Sequence, residues 1–314
     1  MDVARVVEGV LAGERRAVAR AISMVEDGAD GLPDLIAGLY PKTGTAYTVG
    51  LTGSPGVGKS SLAAELVTAA RSRDRTVAVL AVDPTSPFTG GALLGDRLRM
   101  QSHATDPGVF IRSMATRGHL GGLALAAPEA VRVLDAGGAD LVIVETVGVG
   151  QAEVEVATAA DTTLVTVAPG WGDAVQASKA GILEIADVFV VNKADRPGAD
   201  DATRDLEVML RMGPELDWTP PVVRTSTHAH EGIDDLWEAI EAHRKHLEST
   251  RELERRRRSR ILREVEDMVS VRLRARAAEL LERGALESVA DDLVARRVDP
   301  YRAADILVER MEQR

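Results

Sequence analysis

The segment Gly53-Ser-Pro-Gly-Val-Gly-Lys59-Ser60 decides the fold of this 314-residue chain. It fits the pattern G-x-x-x-x-G-K-[ST] and stands between a short apolar run, Tyr47 to Thr52, and a helical stretch that begins near Lys59. Its glycines let the backbone curl so that consecutive N–H groups point towards a phosphate, with the positive end of a helix behind them. A strand, such a loop and a helix in this order predict a nucleotide-binding α/β fold.

The loop is expected to bind the nucleotide along its whole length. In loops of this kind the ammonium group of Lys59 lies at the β- and γ-phosphates and the hydroxyl of Ser60 binds Mg²⁺. The residues expected to contact nucleotide are Gly53, Ser54, Pro55, Gly56, Val57, Gly58, Lys59, Ser60 and Ser61.

Short β runs alternate with helix-length segments up to Ile233. This alternation predicts βαβ units and a doubly wound, mostly parallel sheet of the P-loop NTPase type. The predicted strands are Tyr47 to Thr52, Thr76 to Val82, Val109 to Arg112, Leu141 to Glu145, Thr163 to Ala168, Val188 to Asn192 and Val222 to Thr225.

Helical patterns precede and follow the predicted sheet. Apolar residues at helical spacing predict one leading helix from Val3 to Val25, and the region after Ile233 is helical to Arg314. We therefore expect an N-terminal helical extension (1–45), a nucleotide-binding domain (46–246) and a C-terminal helical arm (247–314). The apolar residues of the arm, including Val265 and Val269, have no strands to cover, so the arm is expected to form a homodimer.

A second motif, Asn192-Lys193-Ala194-Asp195, follows the apolar run from Val188 to Val191 and predicts the base. Ligands bind at the carboxyl ends of strands in such sheets. An aspartate carboxylate there accepts from both the N1–H and the exocyclic amine of guanine, which adenine does not offer. The motif therefore predicts GTP and GDP, with Asn192, Lys193 and Asp195 at the base. Ser226 and Thr227 are expected to add a backbone contact to the guanine oxygen.

Acidic residues at the ends of two other predicted strands indicate a Mg²⁺ site. Asp83 and Glu145 both follow apolar runs, and Asp96 lies in a glycine-rich stretch between them in the sequence. Hard oxygen ligands of this kind suit Mg²⁺. Glu145 also begins Glu-Thr-Val-Gly148, where many GTPases have Asp-x-x-Gly. Val149 stands where small signalling GTPases have a water-positioning glutamine, so slow intrinsic hydrolysis is expected.

The composition indicates which kinds of partner the protein is expected to bind and in which compartment it is expected to lie. The net charge of −11 argues against a nucleic-acid-binding protein, and the absence of cysteine excludes disulfides and thiolate metal sites. Without a long apolar run or a signal peptide, we expect a cytoplasmic protein with no membrane contact. The run from Arg255 to Arg258 lies among glutamates and indicates a solvated helix face or dimer contact. The six histidines are expected to lie on surface loops.

These motifs together resemble the MeaB/ArgK family of GTPases. The resemblance runs through SPGVGKSSL, AVDPTSP, GALLGDRLRM, ETVGVGQAEVEV, GILEIADVFVVNKAD and DPYRAADIL, over nearly the whole chain. It implies a P-loop α/β domain with an N-terminal helical extension and a C-terminal dimerisation arm. It also implies a G-protein chaperone that gates cofactor loading and protects or reactivates an adenosylcobalamin-dependent acyl-CoA mutase, chiefly methylmalonyl-CoA mutase.

The resemblance also implies roles for individual residues. Lys59, Asp96, Glu145 and Lys179 are the expected catalytic residues, and Ser60, Asp83, Asp96 and Glu145 the expected metal ligands. Lys179 lies in a stretch from Gly170 that resembles the family's third switch loop, which responds to the mutase. Two other functions stay open. A nickel or cobalt metallochaperone predicts a cysteine- or histidine-rich cluster near the nucleotide, and this sequence has no such cluster. A kinase needs an acceptor pocket and a catalytic base, and the motif from Asn192 to Asp195 argues against ATP.

Overall fold

The computed structural model describes residues 2–83, 103, 105–115, 123–146, 159–170, 185–214 and 216–312. Their contacts divide the chain into two compact units, residues 1–260 and 261–314. The three-part division expected from the sequence, with boundaries after residues 45 and 246, stays a prediction.

In the described part of the first unit, seven strands form one sheet in the order β3-β2-β4-β1-β5-β6-β7, and every strand pair is parallel. Parallel neighbours require crossover connections, which place helices on the sheet faces. The predicted doubly wound parallel sheet is confirmed. The strands are β1 (Tyr47–Thr52), β2 (Val77–Asp83), β3 (Val109–Ala115), β4 (Leu141–Thr146), β5 (Thr162–Val167), β6 (Val188–Val191) and β7 (Val222–Arg224).

Helices cover both faces of this sheet. Helices α1 to α3 pack with α5 against β2 and β4, while α4 and α7 bury the opposite side chains of β1, β2 and β4; α6 packs on β5 and β6. The helices are α1 (Val3–Leu11), α2 (Arg15–Glu26), α3 (Leu32–Leu39), α4 (Lys59–Arg71), α5 (Leu123–Ala136), α6 (Ala199–Met212), α7 (Ile233–Ser249), α8 (Glu252–Leu280), α9 (Glu287–Val294) and α10 (Pro300–Glu312). None of the helices in these ranges is long and apolar enough to cross a bilayer.

The single leading helix predicted from Val3 to Val25 is wrong. The chain forms α1 and α2 with a break at Gly13, whose φ of +72° lies in the left-handed region that favours glycine. The turn lets Val10 of α1 and Ile22 of α2 both lie fully buried in the same core. Helical spacing does not reveal such a break, because both helices keep their apolar faces towards the sheet.

The arginine run and two histidines also differ from expectation. His243 and His246 lie on α7 and not on surface loops, and His243 has no exposed surface. Arg256 and Arg257, at the start of α8, form ion pairs with Asp187 and with the fully buried Asp161. These two arginines therefore do not form a solvated face, because each neutralises a carboxylate at the amino-terminal edge of the sheet.

Candidate nucleotide-binding site

The loop between β1 and α4 has a backbone that only glycine can adopt at two positions. Gly53 has a φ of +136°, and a Cβ there would lie 2.1 Å from the carbonyl oxygen of Thr166. Gly58 has a φ of +100°, and a Cβ there would lie 2.5 Å from the Asn192 amide nitrogen. The loop is thus curled tightly against the ends of β5 and β6, with Gly58 at the N-terminus of α4. This cradle of backbone suits a phosphate group.

Two side chains from the first turn of α4 lie at this loop. The ammonium group of Lys59 donates to the carbonyl oxygens of Gly53 and Ser54, and only 7% of Lys59 is exposed. The Ser60 hydroxyl donates to Oε1 of Glu145 at 2.6 Å, with both residues buried. Ser60 and Glu145, which were each predicted to bind Mg²⁺, are therefore in direct contact at the loop.

The expected metal ligands belong to adjacent strands. Glu145 on β4 is in register with Leu51 on β1 and with Ala81 on β2. Asp83 is the last residue of β2, two positions beyond Ala81. The Ser60 hydroxyl and the Glu145 carboxylate lie at the loop and carry hard oxygen atoms, and this chemistry fits Mg²⁺. Asp96 and Lys179 both lie outside the described residues.

The turn from Asn192 to Asp195 is hydrogen-bonded directly to the phosphate loop. Asn192 is fully buried, and its amide nitrogen donates to the carbonyl oxygen of Val57 at 2.8 Å. Lys193 has a φ of +59°, and its ammonium group donates to the carbonyl oxygen of Gly56 at 2.6 Å. The two sequence motifs, which are more than a hundred residues apart, are therefore in direct contact.

Asp195 has a hydrogen-bond partner that the sequence did not reveal. The Ser226 hydroxyl donates to Oδ1 of Asp195 at 2.6 Å and accepts from the Ala229 N–H at 3.2 Å. This hydrogen bond is the main reason why the pKa of Asp195 lies below its usual value, because it favours the ionised form of the carboxylate. Sequence reasoning gave Ser226 a backbone contact to the base. The backbone contact stays a prediction for Ser226 and Thr227. The Ser226 hydroxyl orients the carboxylate, and Thr227 is half-buried in the same loop.

Removal of this hydroxyl should weaken guanine-nucleotide binding. In Ser226→Ala, the Asp195 carboxylate loses the donor that fixes its orientation, and we expect the affinity for GDP to fall about ten-fold. Titration with fluorescent GDP measures this. Ser249→Ala removes an exposed hydroxyl that bonds only its own helix, to the His246 carbonyl, and should leave the affinity unchanged. Equal GDP affinity in the two variants would contradict the role given to Ser226.

The sequence of this chain is similar to those of known proteins. Residues 18–281 match the family model described as methylmalonyl-CoA mutase-associated GTPase MeaB. A protein of Pyrococcus abyssi that is named as a GTPase is 49% identical over 307 residues, which cover 96% of this chain and 95% of that protein. The mitochondrial methylmalonic aciduria type A homolog of Caenorhabditis elegans is 36% identical, with 83% of this chain and 70% of that protein covered.

A solved structure shares the fold over almost the full length. The crystal structure of an LAO/AO transport system kinase has a TM-score of 0.73 and 26% sequence identity, and the match covers 99% of this chain and 97% of that chain. The match extends well beyond the phosphate loop, so the similarity concerns the fold and not one motif.

Proposed function

The chain belongs to the MeaB family of methylmalonyl-CoA mutase-associated GTPases, and on this basis we propose that it is a G-protein chaperone of an adenosylcobalamin-dependent acyl-CoA mutase. Its reaction is the hydrolysis of GTP to GDP and phosphate. In the proposed role, GTP turnover gates loading of the mutase with its cofactor and protects or reactivates the loaded enzyme. Methylmalonyl-CoA mutase is the client proposed, because the family model carries that name.

Recognition of guanine rests on the contact between the two motifs. Asn192 and Lys193 bond to the carbonyl oxygens of Val57 and Gly56, which keeps the base-binding turn at a constant distance from the phosphate loop. The ionised Asp195 carboxylate then accepts from two donors on the edge of guanine. This geometry is the observation that supports a guanine nucleotide as the substrate.

The phosphate end of the site supplies charge and metal ligands. Lys59 would stabilise the negative charge that develops on the β- and γ-phosphates during transfer. Ser60 and Glu145, together with Asp83 and Asp96, would hold Mg²⁺. When bound, Mg²⁺ neutralises phosphate oxygens and so favours attack by water. The hydrogen bond from Ser60 to Glu145 keeps both oxygens at the loop before a metal enters.

A reconstituted reaction tests the proposal. The purified chain should hydrolyse GTP slowly alone and faster with methylmalonyl-CoA mutase, and fluorescent GDP should bind far more tightly than fluorescent ADP. An adenosylcobalamin enzyme outside the acyl-CoA mutases is the matched control partner and should give no stimulation. Identical rates with and without the mutase would refute the chaperone role, while tight ADP binding would refute the guanine assignment.

The second compact unit carries an apolar stripe that suits a homodimer. Leu262, Val265, Val269 and Leu273 follow one another at spacings of three or four residues on α8, and about half of each side chain is exposed. Residues at this spacing share one helix face. We propose that a second copy of the chain covers this face.

Charges introduced into the stripe should separate the dimer. In Val265→Glu with Val269→Glu, two carboxylates would have to be buried without partners, which strongly disfavours association. Light scattering should then report the mass of a monomer, with GDP binding retained. Asp267→Lys changes the charge of an exposed residue on the opposite face of the same helix and should remain a dimer. A dimeric double mutant would place the interface elsewhere.

A further inference from the structure

The chain between β7 and α7 forms a closed loop that carries Ser226, whose hydroxyl bonds the Asp195 carboxylate. Ser226 and Glu231 exchange two backbone hydrogen bonds, of 3.0 and 3.1 Å, which close the loop on itself. Gly232 follows with a φ of +73°, and a Cβ there would lie 2.0 Å from a backbone oxygen at the end of β7. We call residues 226–231 the serine loop. Its own hydrogen bonds hold its shape, so its position relative to the phosphate loop depends on contacts with other elements.

One such contact joins the serine loop to α4. Nδ1 of His230 lies 3.0 Å from Oε1 of Glu65, and at this distance a protonated imidazole forms an ion pair with the carboxylate. Glu65 lies on α4, six residues after Lys59, and α4 begins at the phosphate loop. The contact therefore links the loop that orients Asp195 to the helix that follows the phosphate loop.

This contact has two features that an ordinary surface ion pair lacks. The side chain of Glu65 is only 19% exposed, and a carboxylate with little water around it needs a partner. Among the residues that the structure describes, His230 is the basic side chain at ion-pair distance from Glu65. His230 also has a φ of +57°, a backbone conformation that residues other than glycine seldom adopt. Both residues thus accept an unfavourable local state in which the two side chains lie together.

The serine loop acts on the base through Asp195. The Ser226 hydroxyl donates to Oδ1 of Asp195 at 2.6 Å and accepts from the N–H of Ala229, the residue before His230, at 3.2 Å. Recognition of guanine by two donors depends on the direction of the carboxylate, because both of its oxygens must face N–H groups on one edge of the base. A shift of His230 would therefore turn the Asp195 carboxylate through two hydrogen bonds.

We propose that Glu65 and His230 are positioning residues for guanine recognition, because their contact fixes the serine loop on α4. The contact keeps the Asp195 carboxylate directed at the guanine edge when the phosphates lie at Lys59. Without it, the serine loop keeps its closed shape but can shift on α4, which weakens the bonds to the base more than those to the phosphates. The inference rests on the proposed recognition of guanine by Asp195 and does not depend on the mutase.

The ratio of the dissociation constants for inosine diphosphate (IDP) and GDP measures this positioning, because IDP lacks only the exocyclic amine of guanine. We expect Glu65→Ala to lower the ratio about three-fold, an effect within the range of partly exposed ion pairs. Glu65→Gln keeps an oxygen acceptor at the same reach without the charge, so its ratio should lie between those of the wild type and Glu65→Ala. A folded Glu65→Ala that loses affinity for IDP and GDP by the same factor, or for neither, would overturn the proposal.

A change at His230 tests the same contact from the other side. Asparagine tolerates the left-handed backbone at this position, but its side chain is too short to keep the contact with Glu65. His230→Asn should therefore lower the ratio as much as Glu65→Ala does. The double variant should lower it no further, since both changes remove one contact. Effects that multiply in the double variant would mean that the two residues act separately, against the proposal.

Asp234→Ala is the matched control. Asp234 on α7 pairs at 2.9 Å with Arg73, just beyond the other end of α4, so this exposed pair also joins α4 to α7. Its loss should leave the IDP to GDP ratio of the wild type, whatever its effect on the melting temperature. A ratio as low as that of Glu65→Ala would assign the effect to general loosening of α4 and refute a specific role for Glu65.

The wild type separates failure of this inference from failure of the guanine assignment. If the wild type binds IDP and GDP equally, Asp195 does not read the exocyclic amine, and both the guanine assignment and the role of Glu65 fail. If the wild type prefers GDP and Glu65→Ala keeps the full preference, only the role of Glu65 and His230 fails.

Discussion

Replacement of Asp195 with Asn should weaken GDP binding by about 10²-fold or more and raise the affinity for xanthosine diphosphate above that for GDP. In the proposed site, the carboxylate accepts from the N1–H and the exocyclic amine of guanine. An amide presents one donor and one acceptor, which match the N1–H and the carbonyl that xanthine has in place of the amine. Competition titrations with the two diphosphates measure the change.

A second aspartate provides the matched control for this exchange. Asp201 is an exposed carboxylate on α6 that pairs with Arg204, and Asp201→Asn makes the same chemical change away from the base. Its preference for GDP should remain that of the wild type. If Asp195→Asn still preferred GDP with unchanged affinity, Asp195 would not read the base, and the bond from Ser226 would have only a structural role.

Replacement of Lys179 with Ala should remove most of the acceleration of GTP hydrolysis by the mutase. Val149 offers no side chain that could orient the attacking water, so the cation is expected to come from the connection after β5 when the mutase docks. A cation supplied to the transferring phosphate raises the rate about 10³ to 10⁵-fold in GTPase systems. Single-turnover hydrolysis with and without the mutase measures the ratio of the stimulated to the unstimulated rate, and this ratio should fall towards one.

The alternative role of Lys179 predicts a different outcome. A lysine that only solvates the chain before Ile185 would leave the mutase-stimulated ratio intact in Lys179→Ala. Lys179→Arg adds a test of mechanism, because an arginine can still deliver a cation to the phosphate and should restore part of the stimulation. Loss of stimulation in both variants would favour a geometric contact to a carboxylate such as Glu145.

The sequence alone determined the class of fold and the position of the nucleotide site. The loop from Gly53 to Ser60 and the turn from Asn192 to Asp195 each follow an apolar run, and the carboxyl ends of parallel strands meet at one edge of the sheet. These features are local, since a few consecutive residues specify the loop geometry and the chemistry together. For this reason the motifs predicted guanine-nucleotide binding, while the hydrogen bond from Ser60 to Glu145 appeared only in the structure.

Only the tertiary structure decided the contacts that join distant parts of the chain. The bond from Ser226 to Asp195 exists because β6 and β7 are neighbours, and Arg257 reaches Asp161 because the start of α8 packs at the amino-terminal edge of the sheet. An arginine among glutamates has the same local pattern whether it faces solvent or a buried carboxylate. Its partner depends on how strands and helices pack, and this packing follows from burial of the whole core and not from any short run of residues.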